Sequence, residues 1–468
     1  MTTPNLSQYF TNDPPSLFDQ LSGTTDSHSN TSMDVNYGVN EAVDMTSNQK
    51  EIKVPDDVKD KWAPPHTEPG IPPLLTMPGV QSPNDLSDPI RDAVNYLLGE
   101  TEAKQRKVLS AEDVTQDERG LRQLIECGCF RSAVNLTGRL LTIYGQGQGR
   151  AGQPAKHTTH SLQLWFTRCA LLVKLGQYDL CQFESEPFGS LTRPDIYFEF
   201  YPEMYPNRKG SMASFSFRLL LAELPSYLGQ PKTAIDKLTE LSLISAEIKD
   251  FYGKEQPESF EFWQQRENRV IHSLVNCALT MKDFSLADHL MDKMTKQPNL
   301  QNDRKRALYS AWGRIYLQCG DVFGAEQKFL ESRRSKESNS TADLRDLIDR
   351  GLIAVAQNDF QTAFGFFENA LKLEQTPNTM LLNNMGVCKL YSGKLKDAIA
   401  LFERAVISNP QKGLNESLLL NLSTLYELES SNDVIKKLAL LKQINRHKND
   451  LNINLEYCLK LQTGNKVY

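Results

Sequence analysis

Long apolar runs are missing from this sequence of 468 residues. The stretch CALLVKLG is far shorter than the ~18–20 apolar residues that a helix needs to cross a bilayer. The N-terminal region also lacks the basic and apolar segments of a secretory signal peptide. These absences predict a cytosolic protein without a transmembrane segment.

The eight cysteines form no recognisable metal-binding or disulfide framework. No C-x-x-C pair occurs, and only Cys127 and Cys129 lie close together. A structural zinc site needs four ligands at tighter spacing. We therefore interpret the cysteines as small buried side chains in a reducing compartment.

Signatures of common enzymes are absent as well. The sequence has no P-loop, no G-x-S-x-G, no H-E-x-x-H and no set of kinase loops. The net charge is −6, and residues 1–60 alone hold ten acidic and three basic side chains. The remaining chain is nearly neutral, which disfavours general nucleic-acid binding, since that needs concentrated Lys and Arg. We expect a non-catalytic protein without cofactor, metal or nucleic-acid partner.

One glycine-rich stretch, GQGQGRAGQPAKHTTH, contains a literal G-x-G-x-x-G formed by Gly147, Gly149 and Gly152. A dinucleotide fingerprint must follow a strand and open a helix. Here a helical pattern precedes the glycines, and a Gln-Pro dipeptide delays the next helix. We interpret the stretch as an inter-repeat loop. The rival hypothesis, an enzyme that uses this loop, predicts nucleotide binding that Gly149→Ala abolishes.

The same stretch ends in an H-x-x-H, made by His157 and His160. No Cys, Asp or Glu lies close enough in sequence to complete a ligand set. We therefore expect no metal site here.

The N-terminal part of the chain is rich in proline and poor in large apolar residues. Twelve of the 23 prolines fall in residues 1–90. Such a segment cannot bury enough apolar area to offset its chain entropy. The composition predicts a disordered acidic and proline-rich tail over residues 1–85.

An amphipathic helix is predicted next, within residues 86–110. Asp88 is a good N-cap, and Pro89 suits the first helical position. Four apolar residues form a stripe at helical spacing: Ile90, Val94, Leu97 and Leu98. The stripe packs either on the chain's own body or on another subunit, so these residues are candidate partner contacts.

The clearest repeat lies between Leu381 and Pro410. Its small, aromatic and proline residues fall at offsets 0, 12, 16, 19 and 24, as in a tetratricopeptide repeat, at Gly386, Ala398, Phe402, Ala405 and Pro410. The small residues let two helices approach, the phenylalanine fills the space between them, and the proline ends the second helix. The frame recurs upstream at Gly351, Ala363 and Phe367, and again at Gly313, Ala325 and Phe329.

Short turns between paired helices recur seven times, at Gly128, Gly176, Gly229, Lys282, Gly320, Asn358 and Gly393. They predict an all-α tetratricopeptide-repeat α-solenoid of about seven to eight helix pairs. We expect divergent repeats over residues 111–340, and regular repeats with a terminal cap over residues 341–465. Such arrays present extended surfaces that bind protein segments.

An aromatic insert, residues 184–212, interrupts the divergent repeats. Four prolines forbid a continuous helix there, and the aromatic residues include Tyr197, Phe198, Phe200, Tyr201 and Tyr205. Aromatic side chains bury large areas and often dominate interfaces. The insert therefore either folds into its own repeats or faces a partner, and both interpretations stay open.

Polar and aromatic positions on the inner face of the first helices are further candidates for partner contact: Asn276, Arg314, Asn383 and Tyr391. No convergent Lys/Asn/Arg set for gripping a terminal carboxylate is evident. A co-chaperone or another protein-interaction adaptor nevertheless remains the alternative function.

The run PDIYFEFYPEMYPNRKGSMASFSFRLLLAELPSYLG and the earlier DPIRDAVNYLLGE resemble the family of subunit 12 of the trafficking protein particle (TRAPP) complex. The resemblance covers about Ser87 to Leu461. It implies a non-catalytic accessory subunit of the hetero-oligomeric TRAPP III vesicle-tethering complex, acting in ER-to-Golgi transport and autophagy. The implied partners are other TRAPP subunits, especially the large arm subunits, and indirectly a Rab GTPase. The implied location is cytoplasmic, at the ER–Golgi intermediate compartment and the Golgi.

Overall fold

The computed structural model describes residues 54–65, 73–82, 84–253, 255–297, 300–335, 343–374 and 376–461. Within these ranges the regular structure is helical, apart from two isolated β-bridges and three short 3-10 turns. None of the described helices combines the length and the hydropathy that crossing a bilayer requires.

The helices, in chain order, are α1 (Asp56–Lys59), α2 (Pro89–Leu98), α3 (Glu100–Ala103), α4 (Glu118–Glu126), α5 (Phe130–Ile143), α6 (Thr159–Lys174), α7 (Tyr178–Ser185), α8 (Phe215–Tyr227), α9 (Pro231–Tyr252), α10 (Pro257–Thr280), α11 (Phe284–Thr295), α12 (Asn302–Cys319), α13 (Val322–Arg334), α14 (Leu344–Ala356), α15 (Phe360–Leu373), α16 (Thr379–Tyr391), α17 (Leu395–Ser408), α18 (Pro410–Gly413), α19 (Glu416–Glu429), α20 (Asp433–His447) and α21 (Leu455–Leu459).

The chain divides into two compact units. The first unit contains the described residues from 54 to 87 together with residues 109–290, and the second contains residues 88–108 and the described residues from 291 onward. Eight pairs of consecutive helices run along the described chain: α4/α5, α6/α7, α8/α9, α10/α11, α12/α13, α14/α15, α16/α17 and α19/α20. The prediction of an all-α tetratricopeptide-repeat fold with seven to eight helix pairs is confirmed.

The first seven pairs share one way of reversing the chain. After the first helix, one residue adopts a left-handed conformation with φ between 58° and 86°, at Gly128, Gly176, Gly229, Lys282, Gly320, Asn358 and Gly393. In the seventh turn the Gly393 N–H donates to the Leu390 carbonyl and the Lys394 N–H donates to the Lys389 carbonyl, both at 2.9 Å. This is the Schellman motif, which satisfies the last carbonyls of a helix. These seven turns are the ones that the sequence spacing identified.

Three pairs of the second unit also share one close approach between their helices. Gly386 of α16 faces the ring of Phe402 on α17, so a Cβ atom added there would lie 2.6 Å from Phe402 Cε1. Gly351 faces Phe367, and Gly313 faces Phe329, with corresponding distances of 2.4 Å. The alanines of the same frame are fully buried: Ala325, Ala363, Ala398 and Ala405. The second helix of the last of these pairs ends at Ser408, two residues before Pro410.

Within the second unit, the first helix, α2, packs against α20 near the C-terminal end. Ile90 and Val94 of α2 are buried in one apolar core with Leu441 and Ile444 of α20. Arg106 completes this junction, because its guanidinium bonds the carboxylate of the α2 N-cap, Asp88, and also donates to the carbonyls of Asn445, Lys448 and Asn449. Those carbonyls lie at the C-terminal end of α20, where a cation is favoured.

The predicted tail differs from the structure in one part. Residues 1–53 lie outside the described residues, whereas residues 54–65 and 73–82 are packed in the first unit. Val54, Val58 and Trp62 are buried, as is Val80. The first three lie four residues apart, a local pattern that overall composition conceals, although only Val58 lies in the short helix α1.

The contact between Gly386 and Phe402 makes a testable prediction. Gly386→Ala adds a methyl group against a buried ring, so we expect it to destabilise the full chain by about 1–3 kcal/mol in urea unfolding followed by circular dichroism. Gly365→Ala in α15 is the matched control, because open space surrounds that position. We expect this control to stabilise the chain by about 0.5–1 kcal/mol. A neutral Gly386→Ala would contradict the close-packing account.

Candidate protein-interaction sites

The glycine-rich loop joins α5 to α6 and is covered by the chain's own residues 76–82. The Val80 N–H donates to the carbonyls of Gln146 and Gly147, both at 3.2 Å. The Gly152 N–H donates to the Met77 carbonyl at 3.0 Å. A helix precedes the glycines, as the sequence indicated. Backbone groups near both ends of the loop form hydrogen bonds with residues 77–80 of the same chain. The geometry is that of an inter-helix loop docked on a neighbouring segment.

His157 is fully buried beside this loop. The Thr76 hydroxyl donates to Asp195 Oδ2 at 2.7 Å, so its 2.5 Å contact with His157 Nε2 requires the proton on that nitrogen. Gln146 Nε2 donates to His157 Nδ1 at 3.5 Å. Burial lowers the pKa of His157 to about 4, against the opposing effect of Asp195. The imidazole is therefore neutral and serves as part of a buried hydrogen-bond network.

His160 has a different partner from His157. Its Nε2 lies 2.6 Å from Oε1 of Glu118, and burial lowers the pKa of the imidazole. Burial also raises the pKa of Glu118 to about 7. No group of three His, Cys, Asp or Glu side chains with metal-binding geometry occurs among the residues that the structure describes.

An ion pair between Arg168 of α6 and Glu184 of α7 anchors the segment that covers the loop. Both side chains are fully buried, and two hydrogen bonds of 2.6 and 2.8 Å join them. Glu184 Oε1 also accepts from the backbone N–H groups of Gln81 and Ser82, while Arg168 Nη1 donates to the Val134 carbonyl of α5. One buried pair thus ties three helices to residues 81–82.

Residues 54–62 dock on α10 of the same unit. Trp263 Nε1 donates to the Val58 carbonyl at 3.2 Å, and Arg266 Nη1 donates to the Lys59 carbonyl at 2.9 Å. The rings of Trp62 and Trp263 lie 6.4 Å apart. The sequence analysis missed this docking because its partners are about 205 residues away in the chain.

The aromatic insert buries one set of its side chains. Tyr197 and Phe198 are 1% and 0% exposed. Phe188 is also buried, and its ring lies 5.5 Å from the rings of both Trp165 and Phe217. This part of the insert contributes to the core of the first unit.

The other side of the insert faces outward. Phe200 and Met204 are 40% and 45% exposed. Tyr201 and Tyr205 are half-buried; the Tyr201 hydroxyl accepts the backbone N–H of His157, and the Tyr205 ring packs on Phe198. The internal interpretation therefore holds for the buried side chains of the insert, whereas contact of its outward side chains with a partner stays a prediction.

The predicted docking helix, α2, uses its stripe within the second unit. Ile90 and Val94 are 1% and 0% exposed, and Leu97 and Leu98 pack partly buried against the same core. The assignment of Ile90 and Val94 to a partner is therefore corrected, because the chain's own core covers them. On the opposite side of α2, Tyr96 is exposed.

The candidate inner-face positions occupy four different environments. Asn276 on α10 is partly buried, and its Oδ1 has no hydrogen-bond partner among the described residues. Arg314 lies 3.4 Å from Asp349, while Asn383 accepts from Asn421 Nδ2 at 3.0 Å.

Tyr391 belongs to an exposed apolar row that sequence reasoning otherwise missed. In the second unit, four large side chains lie where the first helix of a pair turns into the second, and each is more than 60% exposed: Phe323, Tyr391, Leu428 and Ile435. Tyr391 also stacks on Phe360, with ring centroids 4.9 Å apart. The sequence signal that could have identified these positions is an apolar residue next to a turn motif. Single exposed apolar side chains are ordinary, whereas several that lie together mark an interaction surface.

Comparison with known proteins gives the chain its relatives. No family model matches it. It is 41% identical over 403 residues to trafficking protein particle complex subunit 12 of Mus musculus, and equally to that of Homo sapiens. The chain is homologous to trafficking protein particle complex subunit 12. The alignment covers 83% of this chain but 50% and 54% of the two relatives, so the chain spans about half the length of the curated subunits that it matches.

Solved structures show only distant similarity to this homologue of TRAPP subunit 12. The crystal structure of the APC/C hetero-tetramer Cut9–Hcn1 has 13% identity and a TM-score of 0.34, covering 81% of this chain and 60% of that chain. The crystal structure of yeast Tom70 has 13% identity and a TM-score of 0.29, covering 77% and 70%. At these scores the similarity carries no inference about function.

The buried ion pair makes the second prediction. Glu184→Gln leaves the Arg168 charge buried without its carboxylate, so we expect a loss of about 3–5 kcal/mol in urea unfolding. Asp85→Asn is the matched control, since it removes a carboxylate that pairs with Arg139 at the surface of the same unit. The control should cost at most about 1 kcal/mol. Equal, small effects of the two substitutions would refute the anchoring role of the pair.

Proposed function

We propose that this chain is a non-catalytic scaffold subunit of a TRAPP complex. The observation that carries the proposal is the 41% identity to TRAPP complex subunit 12 across 83% of the chain. The helical-repeat architecture supports it, because stacked helix pairs present long surfaces suited to binding other polypeptides. The chain would act by holding partner subunits in place rather than by chemistry of its own.

We further propose that the complex is TRAPP III, and that the chain binds its large arm subunits. In this role it would support assembly of a Rab guanine-nucleotide exchange complex in ER-to-Golgi transport and autophagy, at the ER–Golgi intermediate compartment and the Golgi. These details are implied by the family resemblance, and the sequence similarity to subunit 12 is their only support.

Two surfaces are proposed as contact sites for partner subunits. The first is the exposed row Phe323, Tyr391, Leu428 and Ile435 of the second unit. The second is the outward side of the insert, where Phe200 and Met204 are exposed. Aromatic and methionine side chains are enriched at protein interfaces, which supports both assignments.

Affinity purification of the tagged full chain from cells tests the proposal. Stoichiometric recovery of TRAPP core and large arm subunits is the expected result. Recovery of chaperones without TRAPP subunits would instead favour a co-chaperone adaptor.

The exposed row makes the third prediction. Tyr391→Asp combined with Leu428→Asp places two charges where an apolar contact is proposed, so we expect recovery of TRAPP subunits to fall by about tenfold or more. Ile407→Asp is the matched control, because this side chain is also highly exposed in the second unit but lies at the opposite end of its helix pair. Circular dichroism should show unchanged helix content in both variants. Full recovery with the double variant would remove this row from the interface.

A further inference from the structure

Arg218, on α8 of the first unit, is buried without a counter-charge. Its side chain is only 6% exposed. Nη1 donates to the Leu191 carbonyl at 2.9 Å, and Nη2 donates to the Ser211 hydroxyl at 2.7 Å. The guanidinium also lies 4.3 Å from the ring centre of Trp62. All of these partners are neutral.

Arg168 provides the comparison within the same unit. It is the other arginine of the described chain that is buried as a whole residue, and it is matched by the bidentate carboxylate of Glu184. Arg218 forms no ion pair with any described residue, and the ionisable group that interacts with it is the hydroxyl of Tyr197. A buried charge is normally paired, because removing it from water costs several kcal/mol.

The electrostatic surroundings of Arg218 agree with this geometry. Burial lowers the pKa of the guanidinium to about 10, and the neighbouring Tyr197 hydroxyl acts in the opposite direction. No carboxylate acts on it. The site therefore has an unmatched positive charge.

A cavity of about 60 Å³ lies beside this charge, between α8, α9 and the start of the insert. A cavity needs about 10–15 Å³ on this measure to hold one water, so the space suits a group of about four to six heavy atoms. That is the size of a carboxylate with one or two methylene groups. Leu221, Ala222 and Leu241 supply apolar walls for the methylene groups.

The rim of the cavity adds donors around the same space. Ser190 and Thr192 contribute hydroxyl groups, which lie 3.0 Å from each other, and Lys237 contributes a second cation. Glu240 also lies at the rim, but its side chain is exposed and no ion pair joins it to Arg218. Lys237 and Glu240 are both exposed at the rim and their charges offset each other, so the buried cation of Arg218 and the apolar walls are what favour a single carboxylate on a short aliphatic stem.

We propose that this pocket binds the carboxylate of an aspartate or glutamate side chain from a partner polypeptide, with Arg218 as its counter-charge. The assignment of the ligand to a polypeptide rests on the scaffold function proposed above. The preference of the pocket for a carboxylate rests only on its own residues. A charge-assisted hydrogen bond to a carboxylate is stronger than one to a neutral acceptor, so the buried guanidinium charge favours a carboxylate over a neutral group in this pocket.

Calorimetric titration of the full chain with sodium glutarate, at constant ionic strength set by sodium chloride, tests the pocket. One end of glutarate matches the carboxylate and two methylene groups of a glutamate side chain, and its second carboxylate would lie outside the cavity where the backbone of a partner would be. We expect saturable binding that becomes at least about tenfold weaker in Arg218→Met. Arg139→Met, which removes an exposed cation of the same unit, is the matched control and should bind as the parent chain does. Absence of saturable binding, or equal binding by Arg218→Met, overturns the proposal.

A second variant covers the case in which Arg218→Met does not fold. Thr192→Trp places a bulky ring at the exposed rim and leaves Arg218 unchanged. We expect this variant to remain folded by circular dichroism and to lose glutarate binding. Undiminished binding would show that glutarate occupies another site and would overturn the assignment.

The source of the carboxylate is tested by neutralising the seven acidic residues of the N-terminal 53 residues to their amides, namely Asp13, Asp19, Asp26, Asp34, Glu41, Asp44 and Glu51. Unchanged glutarate affinity is expected if the natural ligand comes from a partner. Tighter glutarate binding would mean that the chain's own N-terminal residues compete for the pocket, and the partner assignment would fall. Glutarate binding without recovery of TRAPP subunits would preserve the pocket and remove the scaffold function.

Discussion

The repeat architecture of this chain depends on one backbone constraint, the left-handed residue that ends the first helix of each of seven pairs. Without it the first helix could not stop with its last carbonyls satisfied and return within three residues. Five of the seven positions are glycine, which adopts this conformation without steric cost, whereas Lys282 and Asn358 adopt it with a side chain. The turn sets where the second helix begins, and therefore which of its residues meets the first helix. In the second unit this placement brings a phenylalanine ring against a glycine in three successive pairs.

Segments outside the repeats are attached by buried arginines. Arg168, through Glu184, ties residues 81–82 to the helices of the first unit. Arg106 ties the first helix of the second unit to the end of α20. A guanidinium suits this task because its planar fork can bond a carboxylate and several carbonyl groups at once. Breaking such a buried pair is costly, so these attachments are as much a part of the fold as the apolar cores.

Buried polar groups take part in folding, whereas a few large apolar groups stay exposed on the surface. The glycine-rich loop, His157 and the inner part of the insert are engaged within the first unit. The apolar row at the turns of the second unit and the outer part of the insert are not covered by the chain itself. Arg218 belongs to neither group. Its side chain contacts the Leu191 carbonyl and the Trp62 ring within the chain, but no carboxylate pairs with its charge. A subunit that assembles with others would leave surfaces of these kinds available.

The sequence by itself determined the features that depend on short spacing. The seven turns, the Gly–Phe–Ala frame of Gly386, Phe402 and Ala398, and the start of α2 at Asp88 all follow from residues within one helix pair. It also indicated that the G-x-G-x-x-G stretch is a loop between helices. Only the tertiary structure decided that residues 54–82 belong to the first unit, that the insert divides into a buried and an exposed side, and that Arg168 has a carboxylate whereas Arg218 does not. The physical reason is distance along the chain: the burial of Trp62 depends on α10, about two hundred residues away, and no local periodicity records such a partner.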